Sequence, residues 1–201
     1  MSAVECVVDG LRVREFSNSM TAQFPWLQPY QSWDREDINN LSKISKNSYK
    51  IMNELTEIVN IKGPILGSYL IRKHYKATGR SSLSSKNEHE YIGRLKILVD
   101  RQDLIMEEQV SGESITSASF RVADQPSVVT RVIGARNFYD IPPREIAMII
   151  RGVWDSQPDL QMAEDVFRTV LSLLDFTKLT KKADEHLSRI LVSYSSKIFA
   201  P

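Results

Sequence analysis

Gly63 and Gly67 enclose a short loop followed by Ser68, so phosphate chemistry is the first function to test against the residues. A nucleotide-binding loop surrounds its phosphates with backbone amides and a lysine, in the spacing Gly-x-x-x-x-Gly-Lys-Ser/Thr. Here the lysine is missing, and the chain is not expected to hydrolyse ATP alone. His74, His89 and His186 are far apart, and none stands at ligand spacing from a cysteine or carboxylate. Cys6, the single cysteine, excludes an internal disulfide and has no histidine nearby to activate it. The acidic pairs Glu107-Glu108 and Asp184-Glu185 lie on separate elements, without the convergence a nuclease metal site needs. No catalytic residue, metal or cofactor is expected, and a nuclease with a degenerate site is the least favoured reading.

Binding remains. The net charge of +1 is unevenly spread: residues 1–42 carry −3, 43–103 carry +6, 104–124 carry −3 and 125–201 carry +1. A local basic patch holds a polyanion even on a nearly neutral protein. Arg72, Lys73, Lys76 and Arg80 are of the type that contacts phosphates, which positions a protein on DNA without reading sequence. Just beyond them, Ser84, Lys86, Asn87 and His89 open a helix, where side chains reach base edges if that helix enters the major groove. Lys86 suits guanine and Asn87 adenine. Lys181 and Lys182, after Thr180, occupy the corresponding place later in the chain. The competing interpretation is a solvated helical surface used for protein contacts.

Periodicity gives the elements that would carry these residues. Short apolar runs before residue 20 fit a strand or hairpin. Phe24-Pro25-Trp26-Leu27-Gln28-Pro29-Tyr30 is extended by its prolines and reads as an aromatic arm packed on this protein's body or on a partner. From Ser45 a helical stripe runs through Tyr49, Ile51, Met52, Leu55, Ile58 and Val59, and Gly63-Pro64 ends it. Leu66, Leu70, Ile71 and Tyr75 predict a second helix stopping near Gly79. Ile92, Leu95, Leu98 and Val99 predict a third, capped by Ser84 or Ser85. The alternating segments Leu104–Val110 and Ile115–Val122, split by Ser111-Gly112-Glu113, predict a hairpin.

The pattern then returns. Pro142-Pro143 opens a helix with the stripe Ile146, Ile149, Ile150 and Val153. A second holds Met162, Val166, Phe167 and Val170, and a third begins near Thr180 with Leu187, Ile190 and Leu191 inward. Ile51, Leu55 and Ile58 precede Ile146, Ile150 and Val153 by 95 residues, and Arg94-Leu95 precedes Arg189-Ile190 by the same interval. One spacing shared by several apolar positions points to duplication.

The arm Pro25–Tyr30, the run Ile58-Val59-Asn60-Ile61-Lys62-Gly63-Pro64-Ile65, the turn Ala77-Thr78-Gly79-Arg80, Pro143-Arg144-Glu145-Ile146, and the late segment from Phe176 through Thr180 to Leu191 carry a resemblance. Across residues 22–192 the chain resembles the C-terminal region of large bacterial helicase-like proteins of superfamily one, a domain of unknown function. It departs from the family's Glu-Gly-Pro pattern, where Lys62 stands in place of the glutamate. It also lacks the motor, so helicase activity does not carry over. The resemblance implies a domain cut from a larger machine or a free-standing relative working beside one.

The expected fold is mainly α with small β-wings: an N-terminal arm (1–42) and two tandem winged-helix-like repeats (43–124 and 125–201). The expected role is a cytoplasmic, non-catalytic DNA-binding module for duplex or forked DNA, with a helicase or nuclease as protein partner and no membrane segment. The alternative is an assembly subunit of a bacterial defence or repair complex without direct DNA binding. About four phosphate contacts would give a log–log salt slope near −4.

Overall fold

The structure is a computed structural model, and it describes residues 7–8, 11–12, 24–30, 48–107, 114–160 and 162–198. It is mainly helical, with six α-helices and a three-stranded antiparallel sheet among these residues. Near the start, β1 (Val7–Val8) and β2 (Leu11–Arg12) pair antiparallel.

The first helical unit runs α1 (Ser48–Lys62), β3 (Ile65–Leu66), α2 (Gly67–Ala77), α3 (Ser85–Asp100), β4 (Ile105–Glu107) and β5 (Ser119–Arg121). The sheet order is β3-β5-β4, with Ile65 opposite Phe120 and Met106 also opposite Phe120. The stripe on α1 is buried as its spacing requires, Leu55, Ile58 and Val59 fully so. Leu66, placed by periodicity in the second helix, is instead the end of β3, because it pairs with Ser119 of β5 and the helix begins only at Gly67. The first amides of α2 are met by the loop ahead of β5: Gly67 N–H donates to the Ala118 carbonyl and Ser68 N–H to that of Thr116. That approach leaves no room for a side chain at Gly67, where a Cβ would stand 2.6 Å from the Ile115 carbonyl oxygen.

The expected hairpin is present, with a second strand shorter than the expected Ile115–Val122. Ser114–Ser117 form a turn, with Ser117 and Ala118 amides donating to the Ser114 carbonyl, so β5 starts at Ser119 rather than Ile115. Clustered Ser and Thr bond to one another and to local backbone in place of a ladder. The tip at 108–113 lies outside the described residues.

The second unit contains α4 (Pro143–Ser156), α5 (Ala163–Leu173) and α6 (Lys181–Ile198). Helix starts correspond to those of the first unit: Ser48 and Pro143 are 95 residues apart, Gly67 and Ala163 are 96, and Ser85 and Lys181 are 96. Both third helices open on a hydroxyl, Ser84 accepting from the Asn87 amide and Thr180 from that of Ala183. Ile71 and Tyr75 are buried as Val166 and Val170 are, again 95 residues on. No strand completes the second unit among the described residues.

The arm packs on the protein's own body. Phe24 and Leu27 join the core formed by α4, α5 and α6, and Gln28 bridges Thr130 and Val132 through backbone hydrogen bonds. Trp26 lies against Gly152, where a Cβ would stand 2.5 Å from the indole. Helix propensity favours alanine over glycine by about 0.5–1 kcal/mol, but overpacking costs about 1–3 kcal/mol. Gly152→Ala is therefore expected to be net destabilising and to push the indole out. A red shift in tryptophan emission together with a lowered Tm checks this, whereas a raised Tm with unchanged emission contradicts it.

Candidate nucleic-acid interface

The turn between α2 and α3 gathers most of the predicted contact residues. Tyr75, buried near the end of α2, is its centre. The Arg80 guanidinium lies 5.4 Å from the Tyr75 ring centroid, and the Asn87 amide nitrogen donates to the Tyr75 hydroxyl at 3.0 Å. Ser84 caps the same helix end. Lys76, Arg80, Lys86 and His89 are exposed around this turn, and Lys73 is half-buried. Ser84 and Asn87 thus shape the head of α3, while Lys86 and His89 begin its outward face. That face continues through Glu90, Gly93, Lys96 and Ile97, and around Gly93 the space is open.

Beneath this surface, His74 is fully buried between two partners. Its Nδ1 lies 2.7 Å from the Tyr91 hydroxyl and its Nε2 lies 2.8 Å from Glu54 Oε2. The chain Glu54–His74–Tyr91 ties α1, α2 and α3 together and fixes the tilt of α3. Burial pushes the Tyr91 hydroxyl up to about 12. Burial also lowers His74, outweighing the opposing pull of Glu54.

The remaining predicted residues lie elsewhere. Arg72 hydrogen-bonds Asp140 of the second unit and so serves the junction between the units. Lys181 is exposed on α6 near Glu185, at 3.9 Å. The Lys182 ammonium sits 4.6 Å above the Tyr139 ring.

Sequence reasoning missed the junction itself. The two hydrophobic cores share no buried residue, and a charged network lies between them. Glu145 receives Arg131 Nη2 and Arg136 Nη1 on Oε2, each at 2.9 Å, and Arg136 Nη2 on Oε1 at 2.9 Å. Arg131 also reaches into the first unit, donating to the Lys62 carbonyl at 2.6 Å and the Pro64 carbonyl at 2.7 Å. Lys62, the departure from the helicase-like pattern, is buried here with its ammonium 4.4 Å above the Tyr30 ring. The Arg136 guanidinium lies 4.6 Å from the same ring. Burial, with Tyr69 next, raises the Tyr30 hydroxyl. The spacing of Arg131, Arg136 and Glu145 fits no helical or strand period, so only the tertiary arrangement reveals them.

Beside the junction is a cleft of about 280 Å³, lined by Leu66, Ser68 and Ser117 of the first unit and by Tyr139, Arg189 and Ser193 of the second. His186 also lines it. Because Arg189 can only donate, its bond of 2.9 Å to His186 Nδ1 assigns the neutral ring its proton on Nε2. Burial first, then Arg189 and Lys182, lower His186 to about 4. Both His74 and His186 are thus depressed in the folded state. Below about 6.5 the unfolded chain binds the additional protons, so stability is full above that pH and falls towards 4. The urea midpoint is expected to drop between about pH 7 and about pH 5. A midpoint constant over that interval contradicts both shifts.

Among the described residues no group of histidine, cysteine and carboxylate side chains is arranged to hold a metal, and no helix is long and apolar enough to cross a membrane. No family model, curated protein or solved structure matches the chain.

Proposed function

We propose that the chain is a non-catalytic DNA-binding module made of two tandem winged-helix-like repeats, with the first repeat on duplex or forked DNA. The observation that carries this reading is the α2–turn–α3 unit. Lys76, Arg80 and Lys86 surround its turn, and its second helix has an outward face that is exposed among the described residues. The order α1–β3–α2–α3–β4–β5, with β3 returning to pair with β5, is that of a winged helix and supports the finer fold assignment. The matching helix starts and hydroxyl caps support the duplication. In such a unit the second helix of the turn enters the major groove, and cations at the turn meet the phosphates. The resemblance to helicase-like proteins supports action beside, or descent from, a helicase or nuclease machine.

The test is a fluorescence-anisotropy titration against duplex, single-stranded and forked DNA at two salt concentrations. Micromolar or tighter binding to duplex or fork that weakens steeply with salt is expected. One observation favours a protein-interaction subunit instead: the outward face of α3 mixes Lys86 and Lys96 with Glu90 and Asp100, and Ile97 is 40% exposed on it. Absence of binding to every DNA would favour that second reading, and capture of a helicase or nuclease partner would follow.

A further inference from the structure

We propose that the cleft between the two units is a phosphate site, with Arg189 as its charged half and hydroxyl groups as its neutral half. This goes beyond the reading of α2 and α3 and stands independently of it.

Among the described residues Arg189 is the only charged side chain lining the cleft, and no described aspartate or glutamate lines it. Its described partner is the uncharged His186 ring, and no carboxylate pairs with it among the described residues. Other arginines at the junction are spent: Arg72 on Asp140, and Arg131 and Arg136 on Glu145. A guanidinium at the wall of a cleft, with no carboxylate paired to it, keeps its charge available to an anion that enters. His186 acts as a positioning residue. Packed edge-on against Phe138 at 5.5 Å and Tyr139 at 5.2 Å, it offers Nδ1 to one arm of the guanidinium and leaves the other nitrogens for a ligand.

The hydroxyl groups complete the chemistry. The side chains of Ser68 and Ser193 line the cleft, neither hydroxyl being engaged in a side-chain hydrogen bond among the described residues, and Tyr139 brings a third hydroxyl. Ser117 adds a fourth, shared at 3.3 Å with Ser114. Several donors arranged around one guanidinium suit a tetrahedral oxyanion with three or more acceptor oxygens better than a planar carboxylate. The Lys182 ammonium over the Tyr139 ring adds positive charge beside the cleft. Leu66, Ile141 and Ile190 supply an apolar wall on which the sugar or base of a phosphate ester can lie. The shared ligand chemistry is a phosphoryl group, and its source is a free nucleotide or the phosphorylated end of a nucleic-acid strand.

The experiment is a ¹⁵N chemical-shift titration of the full chain with inorganic phosphate and with adenosine monophosphate. It is followed by competition with short single strands bearing a 5′-phosphate or a 5′-hydroxyl. Saturable shifts at the Ser68, Ser117 and Arg189 amides are expected. Arg189→Gln should weaken binding on the order of tenfold to a hundredfold, the usual range for losing hydrogen bonds to a charged group. Arg189 is exposed, so this variant should keep its Tm and its duplex affinity, which separates failure of this site from failure of the α2–α3 surface. Ser68→Ala with Ser193→Ala should weaken phosphate binding while leaving Arg189 in place. Displacement of the nucleotide by the 5′-phosphorylated strand, and not by the 5′-hydroxyl strand, assigns the strand end as the source. Displacement by neither assigns a free nucleotide. Absence of saturable shifts with both phosphate and nucleotide, or unchanged affinity in Arg189→Gln, overturns the proposal.

Discussion

Glu145→Ala is expected to lower stability by about 3–5 kcal/mol, the cost of breaking a buried ion pair from one side. Among the described residues Glu145 is the one carboxylate paired with both Arg131 and Arg136, whose side chains are 8% and 2% exposed. It also accepts the Arg131 backbone amide at 3.1 Å. Once it is removed, two guanidinium groups share a dry space with the Lys62 ammonium, and backbone carbonyls are the main compensation left. Glu145→Gln keeps the volume but loses the charge, so its cost should be similar. That would separate electrostatics from cavity formation. Urea unfolding with both variants is the measurement. A loss below about 1 kcal/mol in both would mean that the arginines rehydrate freely and the junction is open.

The second large effect concerns DNA. Lys76→Ala, Arg80→Ala and Lys86→Ala combined are expected to reduce duplex affinity on the order of several hundredfold at about 0.1 M salt, and to flatten the salt slope from near −4 towards −1. The three cations surround one turn and have no carboxylate partner among the described ion pairs. Arg72 does not belong in this set: its bond to Asp140 means that Arg72→Ala should cost stability more than DNA binding. Salt-sensitive binding that survives the triple change would move the DNA surface to another face, with α6 the next to test.

Much of the helical scaffold was legible in the sequence, for identifiable reasons. Gly63-Pro64 and Ser84 mark ends that local chemistry dictates, and the stripe through Ile51, Leu55 and Ile58 is a burial pattern that only a helix satisfies. Leu66 was misplaced because an apolar residue before a helix looks the same whether it pairs in a strand or begins the helix. Ile115 was misplaced because the neighbouring hydroxyl groups decide the turn, not its hydrophobicity. The basic residues were recognisable by type, but their tasks were not. Nothing in the chain order says that Arg72 meets Asp140, 68 residues on, while Arg80 stacks on Tyr75. The cleft was invisible for the same reason, since Ser68 and Arg189 become neighbours only when the units meet.

The docking of residues 24–30 onto the second unit also determines how the molecule carries mechanical load. Gln28 grips Thr130 and Val132 across the start of that unit, and Phe24, Trp26 and Leu27 are embedded in or against its core. Tension applied between residue 24 and the end of α6 therefore passes through the second unit, and the folded stretch from 48 to 107 stands outside the force path. Under a steady pull the arm must shear away before α1, α2 and α3 feel any strain. A force-extension trace should accordingly show release of the arm as a separate first event, with the first unit unravelling only afterwards.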